Sequence, residues 1–509
     1  MIAVTAGEMR ALDRWTIEHG TPGPVLMERA GVGATRVLRT RLGRSRRPVV
    51  IVCGRGNNGG DGFVIARHLR RARIPVEVWL AAKADEVRGD AAGMLAAWRR
   101  MRGTVEDLSI PERVPAFAAR VAGAGAVVDA IFGTGLNAPV TGVAATAIEA
   151  INSSGRLVFA VDIASGLSAD TGMPLGTAVR AHATATFAFA KVGHLLYPGV
   201  EHTGELQTVD IGIPDAAVAA VRPRVTLLEE AQVGRLVKRR PRDAHKGTFG
   251  HVLVIAGSRG KTGAALLATG AAGRAGAGLV TLAVAARLQP ILEGHVRESM
   301  TAALPDAGEG VAALDDGREV DALLDDRDAV VCGPGLGLAV PTRTLVAHAV
   351  RRCRAPLVLD ADGLNALAGE PELLAARPDA AATIITPHDG EFARLTGAPP
   401  GDDRVAAARE LAARSGAIVL LKGSRSIIAA PDGRAAINTT GGPWLATAGT
   451  GDVLAGMVGA LLARGVDAFS AALAGAWLHG RAADAAGHPG LVAGDLIDAL
   501  PRILASLEE

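Results

Sequence analysis

Short runs of Val, Ile and Leu, each closed by glycine or a polar residue, recur along the chain with longer Ala-rich stretches between them. Residues 48–53 (PVVIVC), 126–129 (AVVD), 157–161 (LVFAV), 252–255 (VLVI) and 357–359 (LVL) are clear examples. A strand with one wet face alternates apolar and polar residues. An unbroken apolar run belongs to a strand covered on both faces, as in a parallel sheet. Helical stretches between such runs predict an α/β architecture. Glycine after the runs permits the tight turn from strand to helix. Those turns build the carboxyl edge of the sheet, where open α/β folds bind ligands.

At 509 residues the chain is long enough for two or three domains. The best boundary lies within residues 214–245, which hold three prolines and a basic cluster from Lys238 to Arg242. The expectation is a domain over residues 1–222 and a second over residues 223–509, with no internal repeat. The balance of 54 Lys and Arg against 52 Asp and Glu gives no electrostatic footprint for nucleic acid. Five Trp, one Tyr and nine Phe leave few platforms for stacking bases. Three cysteines, Cys53, Cys332 and Cys353, make no disulfide framework and predict a reducing, cytoplasmic setting. The N-terminal stretch carries Glu8 and Asp13 where a signal peptide needs its apolar core. Arg274 and Asp452 interrupt the most apolar stretches before they reach bilayer length, so no membrane segment is expected.

After the run ending at Cys53 comes Gly54-Arg-Gly56-Asn57-Asn58-Gly59-Gly60-Asp61-Gly62, then a helix-like FVIARHLRRA. The segment fits G-x-G-x-x-G, with Glu77 in the next strand, a weak dinucleotide signature that a plain glycine turn also satisfies. The amides and the carboxylate in that turn add the chemistry to ligate a cation or a ribose. Two further strand ends are polar: Asp129, followed by Phe132-Gly133-Thr134-Gly135-Leu136, and Asp162, followed by Ser165-Gly166. A single Asp there is often a helix cap. Three polar strand ends together predict a site.

These segments, with Met27-Glu28-Arg-Ala-Gly31 and Phe189-x-Lys191-x-Gly193, resemble the YjeF N-terminal family, the NAD(P)H-hydrate epimerases, over about residues 1–215. The resemblance implies a Rossmann-like three-layer sandwich that binds hydrated NADH or NADPH beside potassium. By motif, Asn58, Asp129 and Ser165 would ligate potassium. Asn57, Asn58, Gly59, Gly60, Asp61, Gly133, Thr134, Gly135, Leu136, Asn137, Ala138, Pro139 and Asp162 would hold the hydrate. Epimerisation by loss and return of water through a ring iminium needs an acid/base. Asp162 and Lys191 are the candidates, unless Lys191 serves only to pair a carboxylate.

Downstream of residue 245 the strand ends are Gly257-Ser258, Gly333-Pro-Gly335-Leu-Gly337, Asp360-Ala-Asp362, Thr386-Pro-His388-Asp389-Gly-Glu391 and Lys422-Gly423-Ser424. The last motif, Gly449-Thr450-Gly451-Asp452, is the sharpest. A glycine turn opening a helix aims backbone N–H groups at phosphate oxygens, aided by the helix dipole. Asp452 follows that anion hole, where it can take a proton from an attacking hydroxyl or simply complement the dipole. His388 and Glu391 are three apart and can face one edge, Glu391 reaching magnesium through water. Lys422 can neutralise a phosphate.

This order resembles the YjeF C-terminal family, the ADP-dependent NAD(P)H-hydrate dehydratases of the ribokinase-like superfamily, over about residues 225–505. The resemblance implies phosphorylation of the hydrate hydroxyl at the expense of ADP, then elimination of phosphate. By motif, Ala264, Gly335, His388 and Asp452 would contact the hydrate, with Asp452 as base. Lys422, Gly423, Ser424, Arg425, Ser426 and Gly451 would contact the nucleotide. Asp389 stands where that family has proline, which places a carboxylate beside phosphates. Together the two resemblances imply repair of hydrated NADH and NADPH with ADP, potassium and magnesium, and a homo-oligomer is expected. The rival is a small-alcohol kinase fused to a non-catalytic nucleotide-binding module.

Overall fold

The computed structural model describes residues 1–43, 47–237, 241–377 and 382–507, so Lys238 to Arg240 of the basic cluster lie outside it. Two compact units appear, Ile2–Val225 and Thr226–Glu509 with Met1. Both are α/β, as the apolar runs predict.

The first unit contains β1 (Ile2–Val4), β2 (Val49–Cys53), β3 (Val76–Leu80), β4 (Glu106–Asp107), β5 (Ala126–Ala130), β6 (Leu157–Val161), β7 (Ala183–Phe187), β8 (Ala190–Lys191) and β9 (Glu205–Val209). Seven of these form a sheet in the order β4-β3-β2-β5-β6-β7-β9. Every pairing in it is parallel. The chain runs outward from β2 in one direction, then returns to start again at β5. The order therefore reverses between β2 and β5, where a crevice opens beyond the carboxyl ends of a Rossmann-like sheet. Both polar turns, after Cys53 and after Ala130, fall at that crevice.

Every residue of β2 and β5 is buried. In β2, Val49, Ile51 and Cys53 pack with the helices Gly23–Arg41 and Asn57–Arg71, while Val50 and Val52 pack with Phe117 and Ile148 on the opposite face. This two-sided burial is the physical reason for the unbroken runs. Each such side chain contributes about 1.5–3 kcal/mol relative to exposure. β1 pairs with β8 so that Val4 stands opposite Lys191, which fixes where that lysine sits.

A short strand, β10 (Val225–Leu227), precedes β11 (His251–Ile255), β12 (Leu279–Ala285), β13 (Met300–Leu304), β14 (Ala329–Cys332), β15 (Leu357–Leu359), β16 (Thr383–Ile385), β17 (Ile418–Leu421), β18 (Ile427–Ala429) and β19 (Ala435–Ile437). In the second unit the order is β13-β12-β11-β14-β15-β16-β17-β18-β19. Pairing is parallel as far as β17 and antiparallel from there to β19. The antiparallel extension has short strands that carry no separate signal in the sequence. The helices Thr262–Arg274, Thr450–Ala463, Ala468–Ala486 and Ala493–Ser506 pack into one core with β11, β12 and β14. The Ala-rich composition lets the first two approach closely. A Cβ at Gly456 would collide with the carbonyl oxygen of Ala268. Among the described residues no helix is long and apolar enough to cross a membrane. The three cysteines are free and buried.

Candidate active sites

In the first unit the helix begins at Asn57, earlier than the apolar run suggests, and spans Asn57–Arg71 behind Gly56. Asn57, Asn58 and Asp61 therefore lie in its first turns, because Gly56 is extended and the polar side chains suit the free N–H end. A cavity of about 700 Å³ opens there. Asn57, Asn58, Asp61, the loop from Gly133 to Pro139, Asp162 and Lys191 all line it. Gly59 and Gly60 are buried behind its wall. A side chain on Gly59 would overlap the Gly54 carbonyl, and one on Gly60 would meet the Met27 sulfur at 2.6 Å.

Asp129 is fully buried at the end of β5. Its donors are all neutral: Ser165 Oγ at 2.6 Å, Ser165 N at 2.8 Å and Ile131 N at 3.2 Å. Burial accordingly pushes its carboxyl up to about 6, against the pull of those hydrogen bonds. Asn58 donates from Nδ2 to the Phe132 carbonyl at 2.9 Å, and its buried Oδ1 has no hydrogen-bond partner. A carboxylate that meets no cation among the described residues, and an amide oxygen left without a partner, are a set of donors that fits potassium.

Asp162 follows β6 with φ 64°, a left-handed conformation unusual for a residue with a side chain. Lys191 is fully buried and donates to Asp162 Oδ1 at 2.5 Å, Thr186 Oγ1 at 2.8 Å and the Phe187 carbonyl at 3.1 Å. Burial works to raise the Asp162 carboxyl, but the Lys191 charge and hydrogen bond hold it below the usual carboxylate range. Burial and the charges of Asp162 and Asp13 push Asp61 well above that range. Asp13, on the helix Ala6–Glu18, also lines the cavity, a place the sequence motifs do not give it. Its signal is a carboxylate at helical spacing between Met9 and Ile17, which line the cavity too.

In the second unit, Lys422 follows β17 and sits among acidic groups. Its Nζ lies 2.8 Å from Asp360 Oδ1 and 3.6 Å from Glu391 Oε2. Burial tends to lower the Lys422 pKa, but these carboxylates and Asp452 raise it above the ordinary lysine value. Asp452 stands in the first turn of the helix Thr450–Ala463, behind Gly449 at φ 86°. Burial, then the charge of Asp360, pushes its carboxyl up to about 7, against the pull of Lys422. Gly451 lies beside the same pair, since a Cβ there would come within 3.4 Å of Lys422 Nζ. The backbone carbonyl of Thr450 meets buried His479 Nε2 at 2.9 Å. Between Asp360 and Asp362, Ala361 takes φ 49°, another non-glycine residue with positive φ after a strand.

Gly335 at φ 62° adjoins Ala264, whose Cβ would be 2.9 Å from a Cβ on that glycine. Asp362, near this edge, binds Lys261 Nζ at 2.9 Å and Gly337 N at 2.8 Å. His388 caps the helix Asp389–Thr396: its Nδ1 accepts from Gly390 N, and Glu391 Oε2 accepts from His388 N at 2.9 Å. The imidazole remains half exposed toward solvent. Asp389 turns away to Arg404, whose Nη1 bonds its two oxygens at 2.8 and 2.9 Å. Arg404 Nη2 also donates to the Lys422 carbonyl at 2.9 Å. The charge that replaces proline is thus neutralised and used to tie the Lys422–Ser426 loop. Gly423 and Ser424 are exposed in that loop, Ser426 accepts from Asn438 N, and Arg425 donates to the Thr439 carbonyl.

Magnesium fits less well than potassium. Both Glu391 oxygens face local partners, and among the described residues no group of three or more His, Cys, Asp or Glu side chains is set to hold a metal.

Both units place buried carboxylates and a paired lysine at the carboxyl edge of a parallel sheet, which defines a two-site α/β enzyme built for nucleotide chemistry. The family described as YjeF-related protein N-terminus matches residues 23–193, and the NAD(P)H-hydrate dehydratase family matches residues 252–504. The bifunctional NAD(P)H-hydrate repair enzyme of Moorella thermoacetica is 42% identical, with 100% of this chain and 98% of that one covered. That of Thermofilum pendens is 40% identical, with 100% and 97% covered. Among solved structures, an ADP/ATP-dependent NAD(P)H-hydrate dehydratase from Bacillus subtilis, co-crystallised with ATP and Mg²⁺, is 32% identical, with a TM-score of 0.49 and coverage of 56% of this chain and 99% of that one. The chain belongs to the family of bifunctional NAD(P)H-hydrate repair enzymes.

Proposed function

We infer that the chain performs both halves of nicotinamide nucleotide repair, in the cytoplasm and as a homo-oligomer. The first unit interconverts the R and S forms of hydrated NADH and NADPH. The second dehydrates the S form and consumes ADP, giving AMP and phosphate. The observation that carries this reading is Asp452, raised to about 7 at the mouth of a glycine-lined helix N-terminus beside Lys422. A carboxyl near neutrality can take the proton of the hydrate hydroxyl as that oxygen attacks phosphorus. Backbone N–H groups around Gly451 and the Lys422 ammonium then face the transferred phosphoryl oxygens. Ala264, Gly335 and His388 would border the hydrate, and Lys422 to Ser426 the nucleotide. Magnesium, which the relative's nucleotide carries, would arrive with the phosphates.

In the first unit Asn58, Asp129 and Ser165 would hold potassium, which would supply positive charge beside the pyrophosphate. Asp162 is ionised and accepts hydrogen bonds. Lys191 keeps it so, and its three hydrogen bonds occupy all three N–H groups, which makes it a positioning residue. The test mixes both hydrate epimers with the protein and either ADP or ATP, and follows NADH absorbance. Conversion of all the hydrate requires both activities, and conversion of half requires the dehydratase alone. Accumulated phosphorylated product with no NADH would point to a kinase and overturn the reading.

A further inference from the structure

We propose that Asp13 is the proton carrier of the first unit's cavity, giving a proton to the departing hydroxyl of the hydrate and recovering it from the returning water. This rests on the epimerase reading above.

Lys191, Asp162, His194 and Asp61 are already committed. Lys191 has no N–H to offer and no exposed surface. Asp162 accepts from Lys191, from Thr186 Oγ1 at 3.3 Å and from Phe187 N at 3.4 Å, so it is held as an anion and has no proton to give. His194, behind Lys191, accepts the Lys191 N–H at Nδ1 and is kept neutral, its pKa lowered to about 3 by burial and then by the Lys191 charge. Asp61 is buried in the first turns of Asn57–Arg71, and burial with the Asp162 and Asp13 charges raises it well above the usual carboxylate range, so it gives up a proton less readily than an ordinary carboxyl.

Asp13 is placed on the same cavity wall. Met9, Arg10, Asp13 and Ile17, successive residues along one side of the helix Ala6–Glu18, all line the cavity. The helix is a fixed support. Thr5 and Glu8 close a capping box at its start, and Ala6 N donates to Asp170 Oδ1 at 2.6 Å. It also packs through Met9 and Leu12 against Ala217, Val218 and Val221. Asp61, Asp162 and Lys191 line the same cavity, with Arg10, Arg55 and Asp90 also on the wall. Burial, then the negative charge of Asp162, brings Asp13 to about 6, with Lys191 opposing. Near neutral pH both its forms are present, as a group that donates and re-accepts within one turnover requires.

The chemistry balances without a redox partner. The ring nitrogen's lone pair forms a C=N bond as the neighbouring C–O bond breaks. The bonding pair leaves with oxygen, and the Asp13 proton completes water. Water then adds to the opposite face, the C=N π pair returns to nitrogen, and the released proton returns to the Asp13 carboxylate. Nothing is oxidised or reduced.

The experiment gives the full-length chain one hydrate epimer, without ADP, in H₂¹⁸O, and follows epimer ratio and label by chromatography and mass spectrometry. For the wild type, kcat/KM should fall as pH rises through about 6, and product should carry ¹⁸O. Asp13→Asn should lower kcat by about 100-fold or more, leave KM within a few-fold and lose that pH limb. Asp13→Glu should restore part of the rate and the limb. An Asp13→Asn variant that keeps the wild-type rate, or one whose KM and melting temperature change while the pH limb stays, overturns the assignment. If Asp13→Asn does not fold, an Asp13→Glu variant with an unshifted limb overturns it equally. A wild-type chain that interconverts nothing overturns the epimerase reading and this assignment together. Interconversion without ¹⁸O uptake removes the water-loss chemistry and with it the carrier.

Discussion

Replacing Lys191 with Met would leave Asp162 buried beside Asp61 and Asp13 with no cation. Two weak donors remain to it, Thr186 Oγ1 at 3.3 Å and Phe187 N at 3.4 Å. The folded protein would keep Asp162 by protonating it. That costs about 1.4 kcal/mol for each pH unit above an unfolded value of about 3.9, so about 4 kcal/mol at pH 7 and about 1.5 kcal/mol at pH 5. This pH-dependent loss falls in the range of about 3–5 kcal/mol that breaking a buried pair costs. The sign is opposite to that of the intact pair. In the wild type the lowered Asp162 pKa contributes stability that is present above the unfolded value and lost as pH falls through the folded one. In Lys191→Met the penalty grows as pH rises. Hydrogen exchange of peptides from β5 to β7, measured across urea at pH 5 and pH 7, reads the first unit alone. Asp162→Asn in the same chain should recover at least half the loss at pH 7. Equal losses at both pH values, or a double variant no more stable than Lys191→Met, would refute the reasoning.

Three further outcomes are expected. Asp452→Ala should abolish NADH recovery while epimers still interconvert, and wild-type dehydratase kcat/KM should rise with pH through about 7 as Asp452 ionises. Arg404→Ala frees the Lys422 carbonyl and should raise the nucleotide KM roughly tenfold in steady-state assays, with kcat changed much less; about 1.4 kcal/mol corresponds to that factor. Gly456→Ala forces apart two helices in contact and should destabilise the second unit by about 1–3 kcal/mol, measured by urea unfolding.

The parallel cores were legible because burial on both faces writes itself as unbroken apolar runs, and β2 and β5 are the plainest cases. The short β18 and β19 were not, since three-residue strands leave too little pattern. Asp129 and Asp162 lie at strand ends, as their motifs suggest, and Asp452 lies in the first turn of a helix. What the sequence hides is pairing across distance: Lys191 with Asp162, Lys422 with Asp360, and Arg404 with Asp389. Asp13 is hidden differently, because a carboxylate on a helix near the N-terminus reads as surface until the cavity is seen. The concern raised by Asp389 dissolves for a related reason, its partner being 15 residues further along the chain.

Lys191 also gives the first unit a built-in clock. An amine reacts with acylating reagents only when it is uncharged and reachable, and this one is fully enclosed with every N–H engaged. Half-exposed Lys261 would take up label directly. Label on Lys191 can accumulate only while its surroundings are open, so its labelling rate counts opening events. A bound dinucleotide hydrate that closes the cavity should slow that count, which makes occupancy readable with no turnover at all.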